Sequence, residues 1–246
     1  MQPYYETTWR ITTEQTDCFD RLRLASLLGI VQEMAGEHSV ALGAGREALQ
    51  EKGLFWAVIR HRILIHRLPA ARETIILRTW PMPTTRTAYP RACQAYDATG
   101  NLLFSTVSVW VLMDQTSRTM VLPGKSGVTV NGTAFGTEPP VPAGIALKEG
   151  SHAACRDVLL SDLDVNGHMN NCRCLDWASD VLGSNFFATA APKEVTVCYF
   201  SEGVPEESLH LFVRKEDGYA VVDALRPSEG LSAGKNRVFS VEIHCP

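Results

Sequence analysis

No run of about 18 uncharged apolar residues occurs anywhere in the 246 residues, so no membrane helix is readable from hydropathy. The opening MQPYYETTWRIT has neither a basic n-region nor an apolar h-region, so an unexported, soluble, cytoplasmic protein is expected. A disulfide framework is also missing. The seven cysteines are odd in number and scattered over both halves, which fits a reducing compartment. Cys172 and Cys174 form a CxC with no second pair and no HxxxH to complete a metal site, so they read as free core thiols. Basic excess is absent too: 23 Lys and Arg against 27 Asp and Glu leave a net charge of −4, which argues against nucleic-acid binding. What is present is ordinary globular material, 45% hydrophobic and 20% charged, enough for a core.

The charge is uneven. Residues 1–125 hold 14 basic and 11 acidic side chains and the remainder hold 9 and 16, so an acidic partner should prefer the first half. Between the halves, PGKSGVTVNGTAFGTEPPVPAGIALKEG (123–150) has six glycines and four prolines in 28 residues and no helical period. It reads as a linker, dividing the chain into 1–125, a connection at 126–150, and 151–246.

Each half repeats one plan. Leu24, Leu27, Leu28, Val31, Met34 or Ala35, and His38 recur at three- and four-residue spacing and predict an amphipathic helix. Strand-length stretches follow: LFWAVIRHRILIHRL, ETIILRTW, ACQAYD and LLFSTVSVWVLMD. In the first of these the odd positions Phe55, Ala57, Ile59, Ile63 and Ile65 form the predicted apolar face, with Arg60, Arg62 and His66 opposite. After the linker, Leu175, Ala178, Val181 and Leu182 predict a helix, then EVTVCYFS, SLHLFVR, YAVVDALR and NRVFSVEIH predict strands. Laying Asp164 over Asp20, an offset of 144, aligns the halves as a duplication. A helix followed by four or five antiparallel strands buries itself most simply by wrapping the sheet around the helix. The expected class is therefore α+β, a tandem (double) hotdog, with room for an acyl-sized tunnel.

The densest polar pattern is SDLDVNGHMNNCRCLDWASDVL (161–182), with Asp164, Asn166 and His168 at alternate positions before the second helix. His168 suits proton transfer near neutral pH. An asparagine amide donates without changing charge, and a carboxylate orients either partner. If the helix starts near Asn170 or Asn171, its free backbone N–H groups face the same spot and could hold an oxyanion. No GxSxG elbow exists; the nearest string, GKSG, lies in the linker. Activated water is the economical nucleophile. The first-half counterpart DCFDRLRLAS lacks both Asn and His, so one site per chain is expected.

DLDVNGHMNN with the flanking LLS and LDWASDVL, together with LFWAVIRHRILIHRLPAARETIILRTWP and SVWVLMDQTSRTMVLP, resembles the plant-type acyl-ACP thioesterases and their bacterial relatives, over most of the chain. The resemblance implies a double hotdog that hydrolyses fatty acyl-acyl carrier protein to free fatty acid, without metal or cofactor. It implies a site of Asp164, Asn166, His168 and a glutamate on the strand after the helix, which counts to Glu202. Strand alternation places Glu202 with Cys198 and Phe200 on a mostly apolar face, where a desolvated carboxylate would be a stronger base. Glu202 with His168 is then the base, Asn166 positions water or substrate, and Asp164 orients the cluster. Plant members often carry cysteine directly after this glutamate; here it is Gly203, which excludes a thiol nucleophile at that position. Cys198, Cys172 and Cys174 are remote candidates.

Met34, Trp56, Val58 and Trp110 are candidate walls of the acyl pocket, although their spacing equally fits plain core. His38 and His61 read as packing. Arg60, Arg62, Arg67, Arg72 and Arg78 are a candidate landing patch for the acidic acyl carrier protein, or a solvated strand face. An acyl-CoA thioesterase of the same fold is the nearest rival and kinetics alone separates the two. A hotdog dehydratase fits the polar pattern less well, and a non-enzymatic acyl-thioester sensor or scaffold is disfavoured because such sensors usually append a DNA-binding helix-turn-helix, for which no basic extension or spare helical pair is read here. Hotdogs commonly pair, which leaves a homodimer open.

Overall fold

The computed structural model describes residues 4–188, 191–227 and 236–245. Two compact units divide at Pro142/Ala143. Among the described residues no helix is long and apolar enough to cross a membrane.

Unit 1 contains strand β1 (Tyr5–Arg10), helix α1 (Leu24–Ala41), short helix α2 (Arg46–Gln50), and strands β2 (Leu54–Ile65), β3 (Thr74–Pro81), β4 (Tyr89–Tyr96), β5 (Leu102–Asp114) and β6 (Met120–Val121). The predicted stripe forms α1: Leu24, Leu27, Leu28, Val31, Met34 and Ala35 are buried together with Ile30, while His38 is half-buried. Its sheet is antiparallel in the order β1-β3-β4-β5-β2, with β6 on β5, and α1 packs against β3. The odd-position face predicted for β2 holds only in its second half. Val58 pairs with Trp110 and Arg60 with Val109, so Ile59 is bulged, and the buried set runs Leu54, Val58, then His61, Ile63, Ile65. The extra residue resets the alternation.

Unit 2 contains strand β7 (Ser151–Asp157), helices α3 (Arg173–Leu182) and α4 (Ser184–Ala188), and strands β8 (Glu194–Tyr199), β9 (Ser208–Glu216), β10 (Tyr219–Leu225) and β11 (Arg237–His244). Its order is β8-β11-β10-β9-β7, the same path as β2-β5-β4-β3-β1. Helix α3 buries Cys174, Leu175, Trp177, Ala178 and Leu182 and lies on β11, where Trp177 meets Phe239 edge to face at 6.3 Å. Gly183 ends it at φ +76, a left-handed position that glycine takes without strain.

Residues 126–150 carry neither helix nor strand, yet they are packed rather than loose. Val128 is buried with Ala44, Leu49, Leu54, Tyr89 and Leu112. Tyr89 Oη donates to Val128 O, Gln94 Nε2 to Thr137 O and Trp80 Nε1 to Glu138. In unit 2, Ile145 is buried with Cys198 and Val221, and Arg237 Nη1 donates to its carbonyl at 3.0 Å.

Candidate active site

The site is built from two turns of unit 2. In the first, Asp164 closes a tight loop: its N–H donates to His168 O (2.8 Å), its carbonyl accepts from Gly167 N (3.0 Å), and Leu163 and Met169 form a β-bridge beneath. Asp164 Oδ1 accepts from Asn166 N (2.8 Å) and His168 N (3.4 Å), an Asx-type turn made possible by Gly167 at φ +76. Asp164 therefore orients His168 through the backbone. Asn166 is exposed at the tip and its Nδ2 donates to Asp164 Oδ2 at 3.2 Å; the second hydrogen of that amide is left for another acceptor.

The second turn follows β8. Met169 N donates to Gly203 O at 2.9 Å, and this bond brings the preceding residues of both turns together: His168 Nε2 lies 3.5 Å from Glu202 Oε2. Gly203 makes the approach possible, because a Cβ there would sit 3.0 Å from Met169 Cβ. The side chains of His168 and Glu202 are 29% and 46% exposed, so a polar pair faces an open surface.

Three expectations need correction. Glu202 does not continue the strand, since β8 ends at Tyr199, and it shares no face with Cys198, which is buried while Phe200 and Glu202 are exposed. Its side chain is 46% exposed and does not sit on the apolar face expected for it. Helix α3 begins at Arg173, not at Asn170 or Asn171, and two of the donors at its entrance are already used: Cys172 N bonds Asn170 Oδ1 at 2.9 Å and Arg173 N bonds Asn170 O at 2.9 Å. Those two N–H groups are therefore not available to an oxyanion. Finally, the duplication runs in a different register. Asp17 N–Arg21 O, Asp20 N–Asp17 O, Phe19 N–Asp17 Oδ1 and the Thr16–Leu22 bridge repeat the Asp164 turn bond for bond, so Asp17 matches Asp164 at an offset of 147. Leu22 N to Pro69 O repeats Met169 N to Gly203 O. Arg21 and Leu68 thus stand where His168 and Glu202 stand, so that place in unit 1 holds no proton-transfer pair.

Of the three candidate cysteines, Cys172 and Cys174 are held as thiols. Burial, then Asp176, pushes Cys172 up to about 12, and burial raises Cys174, whose Sγ donates to Asn171 O. Cys198 is buried. Neither Cys172 nor Cys174 presents an activated sulfur.

The wall candidates divide. Met34 and Val58 are closed into the core of unit 1; Trp56 and Trp110 are half-buried, with Nε1 donating to Ala44 O at 2.9 Å and Ser108 Oγ at 2.8 Å. The arginines do not make one free patch. Arg67 forks onto Glu73 (2.6 and 2.8 Å), Arg78 pairs with Glu6 at 2.6 Å between the rings of Tyr4 and Tyr96, and Arg60 donates to Pro142 O. Arg62 is half-buried, and Arg72 is exposed on a left-handed turn. Of the five, Arg67 and Arg78 have their charge balanced by a carboxylate within unit 1.

Sequence reasoning missed Asp162. It is 5% exposed, accepts from Trp177 Nε1 (3.2 Å) and Leu159 N (3.1 Å), and its carbonyl accepts Asn170 N, so it ties both ends of the motif to α3. Its counterpart at the offset of 147, Gln15, likewise accepts from Thr12 N, the match of Leu159 N, and takes its indole donor from Trp9 of β1 instead of from a helix.

Residues 2–122 match the family described as Acyl-ACP thioesterase N-terminal domain, and residues 147–231 match Acyl-ACP thioesterase C-terminal domain. Acyl-[acyl-carrier-protein] hydrolase FATB2 of Cuphea viscosissima is 23% identical over 91% of this chain and 62% of its own length. Oleoyl-acyl carrier protein thioesterase 2 of Arabidopsis thaliana is 22% identical over 87% of this chain and 64% of its own. The chain thus spans somewhat under two thirds of these curated relatives. Among solved structures, an acyl-ACP thioesterase from Bacteroides thetaiotaomicron superposes with TM-score 0.88 at 21% identity, over 99% of this chain and 98% of that one. The 12:0-ACP thioesterase of Umbellularia californica gives 0.83 at 17% identity, over 100% and 98%. These likenesses establish the fold, a tandem hotdog of α+β class. With both of its halves matched by the two domains of one family, the chain belongs to the acyl-ACP thioesterases.

Proposed function

We propose that this chain hydrolyses the thioester of fatty acyl-acyl carrier protein with a directly activated water, releasing free fatty acid and the carrier thiol. The observation that carries the reading is the His168–Glu202 pair, 3.5 Å apart on an open surface of unit 2. Glu202 with His168 takes a proton from water, whose oxygen adds to the thioester carbonyl. The tetrahedral intermediate expels sulfur, the C–S bond breaks, and the proton passes to the leaving thiolate. Asp164 holds His168 in place through the turn, and the free amide hydrogen of Asn166 positions water or the substrate oxygen. With the Cys172 and Arg173 N–H groups bonded to Asn170, the amide of Asn166 serves as oxyanion partner.

The carrier-bound substrate is supported by family membership and by the excess of basic residues in the first half. The seven free thiols support a reducing compartment, in keeping with a cytoplasmic enzyme. The test is release of fatty acid from acyl-ACP and acyl-CoA by the wild type, His168→Ala, Glu202→Ala and Cys198→Ala. Loss of about 10²–10⁴-fold is expected for the first two variants, with most activity kept in the third. The opposite pattern defeats the water mechanism. Equal kcat/KM on both carriers removes the carrier-protein specificity.

A further inference from the structure

Glu202 sits in an exposed turn, and a base in such a turn needs something to hold it. Arg226, the residue after β10, is placed to do this. Its Nη2 donates to the Glu202 carbonyl at 2.7 Å and its Nη1 to Ser201 Oγ at 2.6 Å, while Nε and Nη2 grip the Glu207 carboxylate. Glu207 Oε2 in turn accepts Val204 N at 3.1 Å, and Ser201 Oγ donates onward to Arg237 O. One guanidinium therefore spans the turn from 201 to 207. Arg226 and Glu207 are 28% and 15% exposed, so the clamp lies at the rim with its charges partly shielded.

Unit 1 supplies the internal comparison. There Glu73 caps its turn in the same way, accepting Ala70 N at 3.1 Å, and Arg67 directs its fork at Glu73. Glu206 at φ +64 and Arg72 at φ +69 mark the same bend. The carboxylate-capped turn thus belongs to the fold. Contact of the arginine with the carbonyl and hydroxyl before the turn belongs to unit 2, the unit in which Leu68 is replaced by a glutamate facing a histidine.

We propose that Arg226 is a positioning residue for Glu202, fixing the backbone from which the base reaches His168, with Glu207 as its counter-ion. This rests on the reading of Glu202 as base. A planar fork can hold a carbonyl, a hydroxyl and a carboxylate at once, which lysine, a point charge, cannot. A base displaced by a fraction of an ångström loses rate rather than substrate affinity.

The test uses the full chain and acyl-ACP. Arg226→Gln is expected to lower kcat by about 10–100-fold with KM within about threefold, to move the acidic limb of the kcat/KM–pH profile, and to be partly recovered in Arg226→Lys. On a Glu202→Gln background, adding Arg226→Gln should change the residual rate less than about twofold, because the residue acts through Glu202. If Arg226→Gln fails to fold, Arg226→Lys and its double variant carry the same comparison. Wild-type kcat and pH profile in both arginine variants, beside an inactive Glu202→Gln, overturn the positioning role alone, as does a loss that adds fully on the Glu202→Gln background. Full turnover in Glu202→Gln by itself removes the base, and the positioning role with it.

Discussion

Gly203 decides how closely the two turns of the site approach, because the Met169 N to Gly203 O bond fixes the separation of His168 and Glu202. A methyl group there would press on Met169 Cβ at 3.0 Å, and Met169 is itself buried. Gly203→Ala should therefore push the turns apart by a few tenths of an ångström and lower kcat about 3–10-fold with little change in KM. Steady-state kinetics on acyl-ACP checks this, and an unchanged kcat would mean that Met169 yields without moving the pair. At this scale Asp164, Asn166 and His168 were readable because they carry proton-moving and donor chemistry at alternate positions before a helix, whereas Glu202 was reached only through the family resemblance. Asp162, Gly203 and Arg226 were not readable. An aspartate beside a turn, a glycine and a surface arginine are common residues, and their importance comes from what lies opposite them.

Among the elements, the segment 126–150 shows how one composition serves two ends. Glycine and proline signal a loose connection, but the same residues let a chain lie flat against packed strands. Gly132 is the extreme case: a Cβ there would meet Met82 O at 1.9 Å, and the next residue donates from Thr133 N to Pro81 O. Backbone cannot move aside as a side chain can. Gly132→Ala should destabilise unit 1 by about 1–3 kcal/mol, seen as a lowered melting temperature, whereas Gly124→Ala, which meets nothing within 4 Å, should not. Strand β5 matched its predicted span because it is long and rich in β-branched residues, and α1 because seven apolar side chains keep helical spacing. The face of β2 was misread for a reason periodicity cannot detect: an extra residue at Ile59 is visible only from the register of the partner strand.

Over the whole molecule, duplication and burial set both function and acid sensitivity. His61 is fully buried and burial alone lowers it to about 3; His38, beside Arg91 and stacked on Tyr5, is lowered to about 4 by burial and then by the Arg91 charge. Both histidines fold neutral, while an unfolded histidine takes up its proton near 6.5. Their contribution is complete above pH 6.5 and is lost as pH falls toward 4 and 3, because the unfolded chain then binds more protons. For His61 this is a slope on the order of 1.4 kcal/mol per pH unit, with less from the half-exposed His38. Urea midpoints should fall between pH 6.5 and 4.5, and His61→Leu should flatten that fall; an unchanged slope would show that His61 is not its source. What the sequence determined by itself was the alternation of helix and strands in two copies and the residue types able to move a proton, since both depend on local spacing and side-chain chemistry. Tertiary structure alone decided the register of the duplication, the turn that presents Glu202 to His168, and the use of the Cys172 and Arg173 N–H groups by Asn170. Those depend on which backbone groups meet across turns, and hydrogen bonds between distant segments leave no period in the chain.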